Sequence, residues 1–164
     1  MKATYKPALA GLVSIVLGVA IAGNAIGQQK AENDSADIAK VKAASQAFYT
    51  AFSGSDAAAM DKVWAQESYI VYVGPRSKTI AVGIDAARKE WSPIFADFPI
   101  RNISVTTSSI RTDGTLAWEV GAEKAQVTSK TGELLSFETF VTNIYEQKNG
   151  AWRMISHHAQ MIPR

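Results

Sequence analysis

Two periodicities divide the chain. From Ser35 to Phe98 apolar residues recur at helical spacing, and beyond Arg101 they alternate along long runs. Ile38, Val41, Ser45, Phe48 and Phe52 make one stripe and predict a helix starting near Ser35. Ser53-Gly54 stops it, with glycine suited to the left-handed cap position. Ser55 or Asp56 can cap a second, short helix whose face carries Met60, Val63 and Trp64. SYIVYV (68–73) is β-branched and aromatic and predicts a strand ended by Gly74-Pro75. Gly83 precedes a third helical stretch, in which Ile84, Ala87 and Trp91 align and Pro93 should kink or end the helix.

After Arg101 come RNISVTTSSIR, TLAWEVGAEKAQVTS, ELLSFETFVTNIYEQ and AWRMISHHAQMI, separated by turns at Asp113-Gly114, Lys130-Thr131-Gly132 and Lys148-Asn149-Gly150. These read as four strands in a meander of hairpins. Helices first and strands last predict an α+β domain.

The last strand ends on His157-His158, the only two histidines. Neighbours on a strand point to opposite faces, so the pair cannot chelate one metal ion. Trp152, Met154, Ser156, His158 and Gln160 share one face; Arg153, Ile155, His157 and Ala159 share the other. A three-residue loop sets Met154 opposite Ile144, His158 opposite Phe140 and Gln160 opposite Glu138. A two-residue Asn149-Gly150 turn sets Met154 opposite Tyr145 and His158 opposite Val141. In the first register His158 and Glu138 meet at the polar end of an apolar inner face. That predicts a pocket where they contact a ligand or move a proton.

Composition narrows the setting. MKATYKP followed by ALAGLVSIVLGVAIAG, about sixteen uncharged residues, has the form of a secretory signal and is short for a membrane span. The expected organisation is a signal peptide over 1–27, a flexible leader over 28–34 and one domain over 35–164. The mature protein is expected to be exported, periplasmic or secreted, and free of the membrane. Without Lys2 and Lys6 the 17 basic residues fall to 15, matching 15 acidic ones. No dense Lys/Arg block suggests nucleic acid. Cysteine is absent, which excludes disulfides and thiol chemistry. No phosphate-binding glycine loop, nucleophile elbow or metal-ligand spacing is present, so neither cofactor nor metal is expected.

With helices first, Gly83 opening the third helix, the LAWEV strand after an Asp-Gly turn, and the ending TNIYEQKNGAWRMISHHAQ, the chain resembles the SnoaL-like branch of the nuclear transport factor 2-like superfamily, which includes the ketosteroid isomerases. The likeness covers residues 35–161. It implies a cone in which a strongly curved antiparallel sheet wraps three N-terminal helices around a mostly apolar pocket, with homodimers formed through the sheet. His158, Trp152 and Thr142 match the family's terminal histidine, tryptophan and threonine. Gln160 stands where serine is more usual, and Phe140 where several relatives have arginine. The isomerases' catalytic aspartate has no counterpart, so isomerase chemistry does not carry over by residue.

The expected pocket is lined by Trp64, Tyr72, Trp91, Phe95, Trp118, Phe140, Thr142, Met154, Ser156 and Gln160, with Trp118 rather than Glu119 turned inward. Two functions stay open. One is a small-molecule binder for an apolar or aromatic compound, or a cofactor-free isomerase, dehydratase, hydrolase or cyclase working through His158 and Glu138. The other is a non-enzymatic dimerisation or interaction module, with Val141, Tyr145 and Ile155 as its exposed stripe.

Overall fold

A computed structural model of the chain describes residues 14–163. The basic start of the expected signal peptide, within residues 1–13, lies outside them. The first helix, α1 (Ser14–Ser53), is 40 residues long. It runs without a break through 28–34, expected as a flexible leader. Gln, Lys, Ala and Glu there are good helix formers, and their exposed side chains need no partner to continue a helix already nucleated on the core. Among the described residues no helix is long and apolar enough to cross a membrane. The stripe packs as predicted: Val41, Ser45, Phe48 and Phe52 are buried. The left-handed residue after α1 is Ser55, at φ 55°, rather than Gly54.

Asp56 caps α2 (Ala57–Val63), its carboxylate accepting from the Ala59 amide at 2.9 Å. The strand read at 68–73 forms only over β1 (Val71–Val73), and a short β2 (Ala81–Val82) pairs with it. Gly83, at φ 88°, opens α3 (Ile84–Asp97), which buries Ala87 and Trp91. Pro93 lies inside α3 and does not end it.

The four long strands appear where alternation places them: β3 (Ile100–Thr112), β4 (Leu116–Thr128), β5 (Leu134–Lys148) and β6 (Ala151–Met161). They join one open six-stranded sheet in the order β2-β1-β6-β5-β4-β3. The sheet is mixed rather than wholly antiparallel, because β1 lies parallel to β6. The three helices pack on its inner face and enclose a core of Phe48, Tyr49, Met60, Trp64, Tyr72 and Trp91.

The last hairpin follows neither expected register throughout. Asn149 (φ 53°) and Gly150 (φ 77°) form the two-residue turn, and Met154 pairs with Tyr145. A bulge at Ile155 then adds a residue to β6, so Ser156 pairs with Ile144, His157 with Asn143 and His158 with Thr142. Trp152 and Met154 point inward before the bulge; His157 and Ala159 point inward after it.

Candidate functional site

The bulge reverses the roles of the two histidines. His157 is buried and His158 exposed. His158, Gln160, Phe140 and Trp118 stand on the outer face, with Thr142 and Ser156 beside them half-buried. Glu138 is outside too, 3.4 Å from Lys124 in an exposed ion pair. It borders an open groove of about 910 Å³ at the sheet's end, a solvated surface without a buried polar group. The structure therefore does not bring His158 and Glu138 into the interior. On β4 it is Glu119, 1 % exposed, that turns inward, while Trp118 is 43 % exposed. Val141 and Tyr145, expected on the outside, are interior, and Ile155 is half-buried against the core.

On the inner side of the sheet, a half-open cavity of about 230 Å³ lies between sheet and helices. Phe48 and Phe52 of α1, Pro93 and Ile94 of α3, and Ala125, Val127 and Phe137 of the sheet make it mostly apolar. Of the expected pocket residues only Tyr72 lines it. Trp64, Trp91 and Met154 are buried in the adjoining core, and Phe95 packs edge-on to Phe52. Exposed Arg76, with Ser77 and Glu90, makes a polar edge. Arg101 also forms part of the wall, but its guanidinium is already engaged. It donates to the Phe52 carbonyl (2.7 Å) at the end of α1 and to the Phe98 carbonyl after α3, and stacks on Phe95 at 4.7 Å.

Away from that edge and from Arg101, the cavity is also lined by the polar side chains of Tyr72, His157 and Glu123. Tyr72 and His157 are partners across the parallel β1–β6 pair, so their side chains share a face. Their rings stack with centroids 5.4 Å apart and planes 13° apart. Behind them lies a buried network. The Ser45 hydroxyl, the Asn143 amide and the Tyr145 hydroxyl donate to Glu119 Oε2 at 2.8, 3.0 and 3.1 Å. Tyr49 and Thr139 hydroxyls donate to the two oxygens of Glu123 at 2.7 and 2.5 Å. His157 Nδ1 is 2.8 Å from Asn143 Oδ1. Each buried carboxylate is thus held by neutral donors, as burial of such a group requires.

Burial fixes the protonation of this end. It pushes the His157 imidazole below its ordinary 6.5, so the ring is neutral at pH 7. Burial also raises the Tyr72, Tyr49 and Tyr145 phenols, with Glu123 adding to the first two and Glu119 to the third. The cavity therefore offers a protonated phenol and a neutral imidazole, one able to donate and the other to accept.

Sequence reasoning missed Glu119, Glu123, Asn143 and His157. On β4 and β5 the usual alternation fails locally: Glu119, Glu123, Thr139 and Asn143 point into the protein, and Trp118, Val120 and Phe140 point out. The apolar-inward rule selects the wrong face there. The one available signal was the Asn149-Gly150 pair, whose preferred two-residue turn puts Asn143 and Tyr145 on Met154's face.

A SnoaL-like domain model matches residues 41–163. No curated protein matches. Among solved structures the chain is similar to a nuclear transport factor 2-like family protein from Streptomyces avermitilis, at 19 % identity and TM-score 0.72, covering 79 % of this chain and 99 % of that one. A superfamily member from Salmonella enterica aligns at 11 % identity and TM-score 0.73, covering 79 % and 94 %. A ketosteroid isomerase-like protein from Erwinia carotovora aligns at 21 % identity and TM-score 0.67, covering 78 % and 98 %. At such identities the likeness is one of fold. The helices-then-mixed-sheet architecture and the family model agree, and the chain belongs to the SnoaL-like domain family.

Proposed function

We propose that the chain binds a small, mostly apolar ring compound in the interior cavity and that His157, with Tyr72, does cofactor-free acid/base work on it. The carrying observation is the stacked Tyr72–His157 pair at one side of a mostly apolar cavity. Size sets the class. A cavity of about 150 Å³ holds benzene, so 230 Å³ accommodates one substituted ring. A neutral buried imidazole is a suitable general base, and a protonated phenol can hydrogen-bond to charge developing on a ligand oxygen. Export follows as part of the proposal from the signal-like start.

Toluene tests the binding. Wild-type protein should bind it, and Ala125→Phe, which fills the cavity from β4, should lose it; equal affinities would overturn this location. A nitrobenzisoxazole tests the base. Removal of its ring C–H proton breaks the N–O bond and releases a coloured cyanophenolate. Turnover no faster than in His157→Phe would remove the acid/base part and leave the binding part standing.

A second reading has its own observation. Trp118, Val120 and Phe140 are 43, 52 and 58 % exposed on one face of the sheet, bordered by His158, Gln160 and the Lys124–Glu138 pair. An apolar patch with a polar rim marks a contact surface. We propose that a second copy of the chain covers it, patch against patch about a two-fold axis. Sedimentation would show a concentration-dependent dimer; a monomer at micromolar concentration would overturn it. The two readings use opposite faces of the sheet and do not compete.

A further inference from the structure

The hydrogen-bond polarity of the buried network reaches His157 through one residue. Asn143 is fully buried, and its Nδ2 lies 3.0 Å from Glu119 Oε2, an acceptor already collecting the Ser45 and Tyr145 hydroxyls. Its second neighbour on that side, the Tyr49 hydroxyl at 3.4 Å, spends its proton on Glu123. Both neighbours accept, so the amide nitrogen must face them and the amide oxygen must face His157. An amide oxygen only accepts, so His157 Nδ1 carries the proton. Nε2 of the neutral ring is then a bare acceptor. It makes no hydrogen bond among the described residues, although His157 is 4 % exposed and lines the cavity. The Tyr72 hydroxyl also bonds to none of them. It rests against Gly74, where an added Cβ would stand 2.7 Å from it.

We propose that Asn143 is a positioning residue that locks His157 in the Nδ1-protonated tautomer, and that the cavity thereby selects ring compounds carrying a hydroxyl or N–H that donates to Nε2 while accepting from Tyr72. The inference rests on the cavity being a binding site and names the ligand class it takes. A buried acceptor left unpaired by a ligand without a donor is penalised. Selection then acts against ethers and hydrocarbons of the same shape, and for phenols, enols and ring N–H compounds.

The test has two arms. His158→Gln alters an exposed outer-face side chain and leaves one histidine to assign. With its imidazole nitrogens labelled with ¹⁵N at pH 7, Nδ1 should give the protonated shift and Nε2 the unprotonated one. The reverse pattern overturns the proposal without recourse to any ligand. In the second arm phenol, anisole and toluene are titrated separately. Phenol should bind about three- to ten-fold more tightly than anisole, the range of one net hydrogen bond, and Asn143→Leu should erase that preference. Equal binding of the three compounds overturns the selectivity and leaves the cavity a binding site. Binding of none overturns the binding reading and this inference with it.

Discussion

Tyr49→Phe removes a single oxygen from the interior and measures what the carboxylate network contributes. The hydroxyl lies 2.7 Å from Glu123 Oε1, and the two residues are 2 % and 6 % exposed. A net hydrogen bond to a charged group is worth about 1.5–3 kcal/mol. The lower end applies if water entering the neighbouring cavity solvates the abandoned oxygen; the upper end applies if none does. The lost contact to Asn143, at 3.4 Å, is long and adds little. A fall of about 2 kcal/mol corresponds to roughly 6–10 °C in melting temperature for a domain of this size. Urea unfolding at pH 7 is the assay, with an unchanged m value as the check that only stability moved. In a Glu123→Gln background the same substitution removes a neutral hydrogen bond and should cost only about 0.5–1.5 kcal/mol. The coupling in this double-mutant cycle should then be about 1–1.5 kcal/mol. A loss below about 0.5 kcal/mol in wild type, or equal losses in both backgrounds, would refute a charged, buried Glu123 held by Tyr49.

Stability should fall in mild acid because of His157. Burial, with the neighbouring His158, pushes its imidazole below 6.5, against an opposite push from Glu123 and Glu119. The unfolded chain therefore takes up a proton that the fold refuses. Stability drops as pH falls below about 6.5, by up to about 1.4 kcal/mol per pH unit, until the folded imidazole itself titrates. His157→Gln should lose that slope in unfolding curves taken between pH 7 and 5, and an unchanged slope would contradict a buried His157. Asp113, held down to about 2 by the Leu116 and Thr115 amides, titrates well below this window. Gly74→Ala sets a methyl against the Tyr72 hydroxyl, whose ring is clamped by His157 and Trp91. It should cost about 1–3 kcal/mol, most of it regained when Tyr72→Phe is added; a neutral Gly74→Ala in urea unfolding would show that the phenol is free to move. Val120→Lys on the outer face should turn the proposed dimer into a monomer by sedimentation, and a dimer that survives it would place the interface elsewhere.

The elements were legible in the sequence because each obeys a local rule. Val41, Phe48 and Phe52 lie on one helical stripe, Asp56 caps α2 through its own side chain, and glycine-bearing turns separate the four long strands. The candidate site was not legible, for two physical reasons. A bulge at Ile155 has no residue signature in a strand that mixes apolar and polar residues on both faces, yet it exchanges His157 for His158 at the cavity. The inner face of β4 and β5 carries the polar network of Glu119, Glu123, Thr139 and Asn143 among apolar residues, while Trp118, Val120 and Phe140 stand on the outer face where we place a second copy. Binary patterning assumes one buried apolar face, and a sheet with buried polar residues on one face and exposed apolar ones on the other defeats it. The longer α1 was missed for the opposite reason: 28–34 has helical propensity but no apolar stripe to announce it.

The most direct test of an interior binding site is an NMR measurement of intermolecular NOEs between toluene and the protein at neutral pH. Binding inside the cavity predicts cross-peaks from the toluene ring to Phe48, Tyr72 and His157, which line the cavity, and none to Trp118 or Phe140. Cross-peaks to Trp118 and Phe140 alone would place the bound ring on the outer face of the sheet and contradict an interior site.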